Sequence, residues 1–365
     1  MKKLAAVAAL LLACGHALPA SYVRAQNAAE QAYAARQFSA AGAAWLRAAA
    51  AAKMPLDRNE ARYRAATCYE RGGDLKRATE LYQALANGKS ERAPRATFAL
   101  ADLQITHGDA QAGYAALEAA IRKYPTSGVA GVSLTRYFAS LADSGGDQAV
   151  LDYVDRVEPS LDASELAEQY LYERARRLDA LGRTSDALAA YLRVAERFPY
   201  PHGAYWDDAL FRAAACDERQ GDPRAAVALL ERLLRARETS RLSGSYEHAR
   251  FADAAYHIAE LYRDALHEPS AARRAFRAVF TDYPSSTLRD DALWQEALLA
   301  RRAADADGAC APLTLLVREL PDSRYAACAS EICARLQPQA GRTCRGYIER
   351  ELVTGMTQEK QKVEE

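Results

Sequence analysis

The sequence predicts an all-α solenoid of about eight helical hairpins, closed by a C-terminal capping helix. The 365-residue chain is rich in alanine, leucine, arginine and glutamate and poor in β-branched residues, which favours helices over strands. A pattern of small and large residues recurs with a period near 37 residues, as expected of stacked hairpins. Beyond the N-terminus no stretch reaches the roughly 18 apolar residues of a membrane-spanning helix.

The overall charge argues against one class of partner. Lysine and arginine total 48 and aspartate and glutamate total 48, so the formal net charge is zero. A nucleic-acid binder needs a basic face that displaces counterions from phosphates. We therefore expect no nucleic-acid partner.

Residues 1–25 have the features of a secretory signal peptide. Met1–Lys3 is positively charged and Leu4–Ala13 is an unbroken apolar run, too short and wrongly flanked to span a membrane. The sequence therefore predicts export.

Two processing sites compete within this segment. Val23–Ala25 places small residues before Gln26, which suits cleavage there and release of a soluble protein. Leu11–Cys14 instead resembles the lipobox of bacterial lipoproteins, which makes Cys14 a lipidation candidate. Acyl chains on Cys14 would tether the chain to a membrane, and we expect no other membrane contact.

The repeat is defined by a small residue in the second helix of each hairpin, followed four residues later by a large one. Small residues allow two helix backbones to cross closely, and the large ones fill the space around the crossing. Successive copies are 35 to 46 residues apart, and the register of the fourth copy is ambiguous. The eight small residues are Ala41, Ala78, Gly113, Ala149, Ala187, Ala226, Ala272 and Ala309.

Glycine and proline punctuate these copies. Glycine followed by a polar residue ends the first helix, with the glycine in the left-handed conformation. Proline stops the second helix because it cannot continue the hydrogen-bond ladder. Since one hairpin cannot bury its apolar face alone, we expect the hairpins to stack over residues 26–336. The glycines are Gly73, Gly108, Gly182 and Gly221, and the prolines are Pro125, Pro199, Pro284 and Pro321.

These offsets resemble the tetratricopeptide repeat, in phased copies over residues 27–321. Residues 253–300 are closer still to the repeats of the outer-membrane β-barrel assembly lipoproteins and the Tol–Pal coordinator proteins of Gram-negative envelopes. That likeness depends on Asp253–Tyr262, Phe276, Phe280 and Tyr283–Ser286. The resemblance implies a protein of the bacterial envelope, located in the periplasm or on the periplasmic face of the outer membrane.

One position of the first helix is aromatic in six copies, although only 8% of all residues are aromatic. The rings either pack between neighbouring hairpins or offer anchors in a concave groove that binds a protein or peptide. Nearby charges of both signs, Arg176 and Glu260 among them, suit a partner with specific charge placement. The aromatic residues are Tyr63, Phe98, Tyr172, Phe211, Tyr256 and Trp294.

No known catalytic or cofactor-binding motif occurs in the sequence. His257 and Glu260 have the i,i+3 spacing of half a metal site, but no second ligand set matches them. We interpret them as a surface pair and expect a non-catalytic protein without cofactor or metal.

Four cysteines crowd the C-terminus, where residues 337–365 are predicted to form a stapled cap and a charged tail. In an exported chain such cysteines form disulfides, and their spacing does not suit zinc. Of three possible pairings, Cys310–Cys328 with Cys333–Cys344 is favoured because each bond joins adjacent elements. The other two cysteines after the signal, Cys68 and Cys216, are expected to be buried and free.

The leading functional hypothesis is a non-catalytic scaffold of the bacterial cell envelope that binds protein partners within an outer-membrane or periplasmic assembly. The alternative is a cell-wall-associated module that holds or regulates peptidoglycan or its enzymes. A third hypothesis is an enzyme subunit with a cryptic site.

Overall fold

A computed structural model describes residues 17–160, 164–236, 249–339, 341–350 and 352. All regular secondary structure in these ranges is helical, so the predicted all-α class is confirmed. The chain divides into two compact units with the boundary between Ala167 and Glu168. No helix in the described ranges is both long enough and apolar enough to cross a membrane. Most of the signal segment, including Cys14, lies outside the described residues.

The described part of the first unit contains seven α-helices, and consecutive helices pack against each other. Short turns separate most of them, which makes neighbours antiparallel. The first helix begins upstream of Gln26. The helices are α1 (Ala20–Ala34), α2 (Phe38–Ala51), α3 (Pro55–Arg71), α4 (Leu75–Ala86), α5 (Ala93–His107), α6 (Ala110–Lys123) and α7 (Ala130–Val157), the last followed by a 3-10 turn, Glu158–Ser160.

The long helix α7 is itself a hairpin, because Gly146 interrupts it with a φ of 71°. Tyr137 and Tyr153 lie on opposite sides of this glycine, and their ring centroids are only 5.0 Å apart. In a straight helix, residues with that separation in sequence would lie about 24 Å apart. This segment is the fourth predicted copy of the repeat.

In the second unit, consecutive helices pack against each other from its second helix onward. A π-helical turn, Leu261–Ala265, extends the helix Ala249–Glu260, and a 3-10 turn, Ala326–Cys328, precedes the last helix of the unit. The helices are α8 (Ala167–Ala180), α9 (Thr184–Arg197), α10 (Trp206–Arg219), α11 (Pro223–Leu234), α12 (Ala249–Glu260), α13 (Pro269–Asp282), α14 (Arg289–Arg302), α15 (Ala306–Glu319) and α16 (Ala329–Ile332).

The repeat position of small residues is buried in seven of the eight copies. The fourth copy differs: Ala149 is only half-buried, whereas Val150 and Val154 are fully buried. The register in this copy is therefore one residue later than predicted, because the turn at Gly146 rotates Val150 towards the core.

The turns follow the predicted chemistry with one exception. Gly73, Gly182 and Gly221 have φ values of 71° to 80°, whereas Gly108 has a φ of −128° and is not left-handed. The helix before each of Pro125, Pro199, Pro284 and Pro321 ends two residues before the proline. The last helical residues are Lys123, Arg197, Asp282 and Glu319.

The predicted disulfide pairing is wrong, although all four cysteines are bonded. The bonds join Cys310 to Cys333 and Cys328 to Cys344. The chain after α15 does not form one long capping helix but a 3-10 turn and the four-residue α16. This turn directs Cys333 back to α15 and leaves Cys328 for the last segment.

The end of the chain packs on the last hairpin. Residues 346–350 are helical, and buried Ile348 and Leu352 join the apolar cluster of Trp294 and Leu313. The predicted C-terminal cap thus contributes to the core. Residues 353–365, including the predicted charged tail, lie outside the described residues.

Candidate functional site

The six aromatic residues of the predicted groove occupy the first helices of six hairpins, as expected. Tyr63 lies on α3 and Phe98 on α5, in the first unit. In the second unit, Tyr172, Phe211, Tyr256 and Trp294 lie on α8, α10, α12 and α14. Phe98, Tyr172 and Trp294 are buried, and the other three are half-buried.

In the second unit, residues of the following hairpin cover these rings. Tyr172 stacks on Tyr205 with centroids 4.4 Å apart, and Trp294 stacks on Tyr325 at 4.7 Å. The guanidinium of Arg250 lies 5.0 Å from the ring centroid of Phe211. The rings therefore hold neighbouring hairpins together, and only the half-buried ones keep surface for a partner.

Asp208 on α10 links three helices of the second unit. It accepts hydrogen bonds from Arg212 Nε at 2.7 Å and from Arg250 Nη2 at 2.5 Å. The hydroxyl of Tyr172 also donates to it. One carboxylate thus holds three donors from α8, α10 and α12 in fixed positions.

His257 on α12 forms a second polar cluster on the same unit. Its Nε2 lies 2.6 Å from Glu218 Oε1 and its Nδ1 lies 3.3 Å from Glu260 Oε2. Hydrogen bonding to Glu218 and Glu260 raises the pKa of His257 to about 9, against the opposing effect of burial. The imidazole is therefore protonated at neutral pH and bridges two carboxylates. Among the described residues, no group of three or more histidine, cysteine, aspartate or glutamate side chains is arranged to hold a metal.

The two predicted polar groove residues are placed differently. Arg176 is exposed on α8, where its Nη1 donates to Glu173 Oε2 at 3.0 Å. Glu260 is half-buried beside His257. Arg176 and Glu260 do not contact each other, so they lie on separate parts of the surface.

The first unit contains a cavity of about 450 Å³ on its first-helix side. We call it the aromatic cavity, since three rings from α1, α2 and α3 line it together with charged residues. Of the predicted groove residues it includes Tyr63. Its lining comprises Tyr33, Trp45, Tyr63, Glu30, Glu60, Arg64, Arg92, Arg95, Thr67 and Cys68.

The charges of the aromatic cavity are not fully balanced. Arg64 Nε donates to Glu60 Oε1 at 2.6 Å, and Arg92 makes a second ion pair with Glu60. Arg95 is exposed and makes no ion pair with any described residue. Three arginines against two glutamates leave the lining with one net positive charge at neutral pH.

Tyr63 gives the aromatic cavity a polar donor. Burial, with smaller effects from nearby charges, raises the pKa of its phenol, so the hydroxyl stays protonated at neutral pH. Tyr63 packs against Tyr82 of α4, with ring centroids 5.5 Å apart. The guanidinium of Arg92 lies 5.8 Å from the centroid of Tyr63. These contacts hold the ring at the wall of the cavity.

The sequence pattern did not identify the aromatic cavity as a site. In the repeat pattern Trp45 is the large residue four positions after Ala41, and the same first copy, which also contains Tyr33, has Gln26 where six other copies have an aromatic residue. Arg92 lies in the turn before α5, where turn length decides its position. The cluster Lys89–Arg95 of basic residues after α4 was the only available signal.

Two segments of the chain match the sequence model of the tetratricopeptide repeat, residues 60–87 and 208–239. The first covers most of the α3–α4 hairpin and the second the α10–α11 hairpin. These two hairpins have the sequence pattern of the tetratricopeptide repeat. No curated protein matches it.

Several solved structures are similar to the chain at low identity. The C-terminal part of a TPR repeat-containing protein from Cytophaga hutchinsonii is 14% identical over 73% of this chain and 98% of that one, with a TM-score of 0.46. The protein pilF of Pseudomonas aeruginosa is 18% identical over 66% of this chain and 98% of its own, with a TM-score of 0.37. A tetratricopeptide repeat protein from Parabacteroides merdae is 12% identical over 76% of this chain and 99% of its own, with a TM-score of 0.33. Function does not follow from fold at such identities.

Proposed function

We propose that this protein is a non-catalytic scaffold that captures a protein partner in the aromatic cavity of its first unit. The observation that carries the proposal is the cavity itself: three aromatic rings, among them the protonated phenol of Tyr63, and one net positive charge line a space of about 450 Å³. Aromatic and arginine side chains supply most of the binding energy at protein interfaces.

The lining specifies the partner's chemistry. The half-buried rings of Tyr33 and Tyr63 suit an apolar side chain, whereas Trp45 is buried and completes the wall of the cavity. Exposed Arg95 offers an unpaired guanidinium to a carboxylate. A carboxylate accepts two parallel hydrogen bonds from arginine. The partner segment therefore presents an apolar side chain next to an acidic group.

Site-specific photocrosslinking tests this proposal. With a photoreactive phenylalanine at position 63, we expect crosslinks to one or a few proteins, and we expect Arg95→Glu to reduce their yield at least roughly tenfold, the cost of losing a charged hydrogen bond. The matched control carries the same photoreactive group in place of exposed Tyr347.

The proposal fails if positions 63 and 347 give the same crosslinked products, or if Arg95→Glu leaves the yield from position 63 unchanged. Recovery of a peptidoglycan hydrolase or glycan strands would favour the cell-wall module over an outer-membrane or periplasmic assembly.

We also propose that the scaffold works in the bacterial envelope and that processing occurs at Cys14, upstream of Gln26. Tyr22 supports this choice of site, since it lies on α1 and is only 4% exposed. Its ring is buried in the same apolar cluster as Ala61 and Ala65 of α3. Burial, with smaller effects from Asp57 and Glu60, raises the pKa of its phenol against the opposing effect of Arg64. The resemblance of residues 253–300 to envelope lipoproteins supports the location.

Cleavage before Gln26 would remove Ala20–Ala25, the first six of the 15 residues of α1. Loss of the buried Tyr22 ring alone would reduce the free energy of unfolding by about 2 kcal/mol. We therefore expect mass spectrometry of the mature chain to recover peptides that contain Tyr22, and palmitate labelling to be lost in Cys14→Ser. A mature N-terminus at Gln26 would contradict this processing while leaving the partner proposal intact.

A further inference from the structure

Half of the large apolar side chains that are exposed in the described part of the chain lie at one end of the first unit. There are eight such residues in all. Four of them lie at the beginning of α1 or in the turn that leads into α3, and we call this group the end face. Its members are Leu18 (37% exposed), Val23 (39%), Met54 (45%) and Leu56 (53%).

The two segments of the end face lie side by side. α1 and α3 run in the same direction, because α2 reverses the chain between them through two short turns. Tyr22 near the start of α1 is buried in the same apolar cluster as Ala61 and Ala65 of α3, which places the start of α1 beside the first half of α3. The exposed apolar residues thus belong to one end of the unit.

Basic residues accompany the apolar ones. Arg24 and Lys53 are exposed, and neither makes an ion pair with a described residue. Arg58 Nη2 donates to the carbonyl of Ala52 at 3.2 Å. Residues 17–24 and 53–58 together contain three basic side chains and a single acidic one, Asp57.

The residues that immediately precede the end face in the sequence indicate what covers it. The apolar run Leu4–Ala13 and the lipidation candidate Cys14 lie immediately before Leu18. If the chain is processed at Cys14, its acyl chains would insert into a bilayer, and if the apolar run is retained, that run would insert instead. Either one places a membrane anchor within a few residues of this end. A surface so close to the anchor meets lipid before it meets any other partner.

We propose that the end face rests on an anionic phospholipid surface. Met54 and Leu56 enter the boundary between headgroups and acyl chains, where amphipathic surfaces bind, and Arg24 and Lys53 pair with lipid phosphates. The proposal rests on the proposed retention of residues 17–25 in the mature chain, and it is independent of the aromatic cavity.

A fluorescent probe tests which end meets the lipid. The full chain with Cys14→Ser would carry one added thiol, either Met54→Cys on the end face or Lys76→Cys at the start of α4, at the opposite end of the same unit. The remaining free cysteines, Cys68 and Cys216, are buried. Each thiol is labelled with a polarity-sensitive dye and mixed with protein-free vesicles of phosphatidylcholine and phosphatidylglycerol.

We expect the dye at position 54 to shift to the blue and to be quenched by nitroxide-labelled lipids, while the dye at position 76 stays unchanged. Arg24→Glu and Lys53→Glu should weaken binding to these vesicles roughly fivefold for each lost positive charge, with little effect on vesicles of phosphatidylcholine alone.

Equal behaviour of the two dyes, or failure of the chain to bind the vesicles, would overturn the proposal. Because the vesicles hold no protein, a second copy of the chain on the end face would instead appear as dye shifts that depend on protein concentration without lipid, which also contradicts it. The crosslinks from position 63 report on the aromatic cavity separately.

Discussion

At the scale of single residues, the charged ring of His257 interacts with carboxylates from two hairpins. Its ring bridges Glu218 of α10 and Glu260 of its own helix at 2.6 and 3.3 Å. The sequence spacing indicated only the pair with Glu260, because the two lie three residues apart. Glu218 is distant in sequence and joins the cluster only when the hairpins pack.

This cluster makes stability depend on pH. The folded pKa of His257 is about 9, above the ordinary value of 6.5, so its contribution is complete below about pH 6.5 and is lost as the pH rises through about 9. We expect the free energy of unfolding to fall over this interval and His257→Gln to flatten the decline. Denaturant titrations across the interval check this, with exposed His202→Gln as control; an unchanged slope in His257→Gln would contradict it.

At the scale of helices, the crossings depend on small residues. A Cβ atom added to Gly113 on α6 would lie 2.6 Å from the backbone nitrogen of Ile105 on α5. Two backbones can approach this closely only where no side chain separates them. The close helix crossing therefore requires glycine at position 113, although alanine has the higher helix propensity.

Gly113→Ala should destabilise the protein by about 1–3 kcal/mol, the usual cost of overpacking, despite the better helix propensity of alanine. Gly128→Ala is the matched control, since nothing lies within 4 Å of its added Cβ, and surface changes of this kind stay within about 0.5 kcal/mol. Chemical denaturation of both variants decides the matter. Equal stability of the two would show that the helices separate easily.

At the scale of the whole molecule, the two units end differently. The first unit begins with α1, whose exposed start forms the end face. The second ends in a short segment held by two disulfides, which close loops with sequence separations of 23 and 16 residues. These bonds hold the segment that carries buried Ile348 and Leu352 against the last hairpin.

Replacing Cys310 and Cys333 with serine should lower the stability of the C-terminal segment by about 3 kcal/mol, the chain-entropy cost for a loop of this size. Faster proteolysis around the buried residues Ile348 and Leu352, in a thermal ramp, would report the loss. Trypsin combined with cleavage after Glu331 separates all four cysteines, so mass mapping tests the pairing directly. Recovery of a Cys310–Cys328 peptide would contradict the structure.

Much of the fold was predictable because it depends on residues close together in sequence. Helix ends at prolines, turns at Gly73, Gly182 and Gly221, and the burial of seven small repeat positions follow from local chemistry. The fourth copy was harder to read, since the turn at Gly146 moves the buried position from Ala149 to Val150. The site was predictable only in part: Tyr63 was identified, whereas Tyr33, Trp45 and Arg92 come together through three separate turns.

The sequence by itself determined the helices, their period and the helix that carries the aromatic residue in six hairpins. These features follow from the spacing of apolar residues along successive turns of one helix. Only the tertiary structure decided which cysteines meet, which rings keep exposed surface and where Glu218 approaches His257. Those outcomes depend on the angles at which hairpins pack. Small changes in a turn rotate a whole helix, and no residue pattern within one repeat records that rotation.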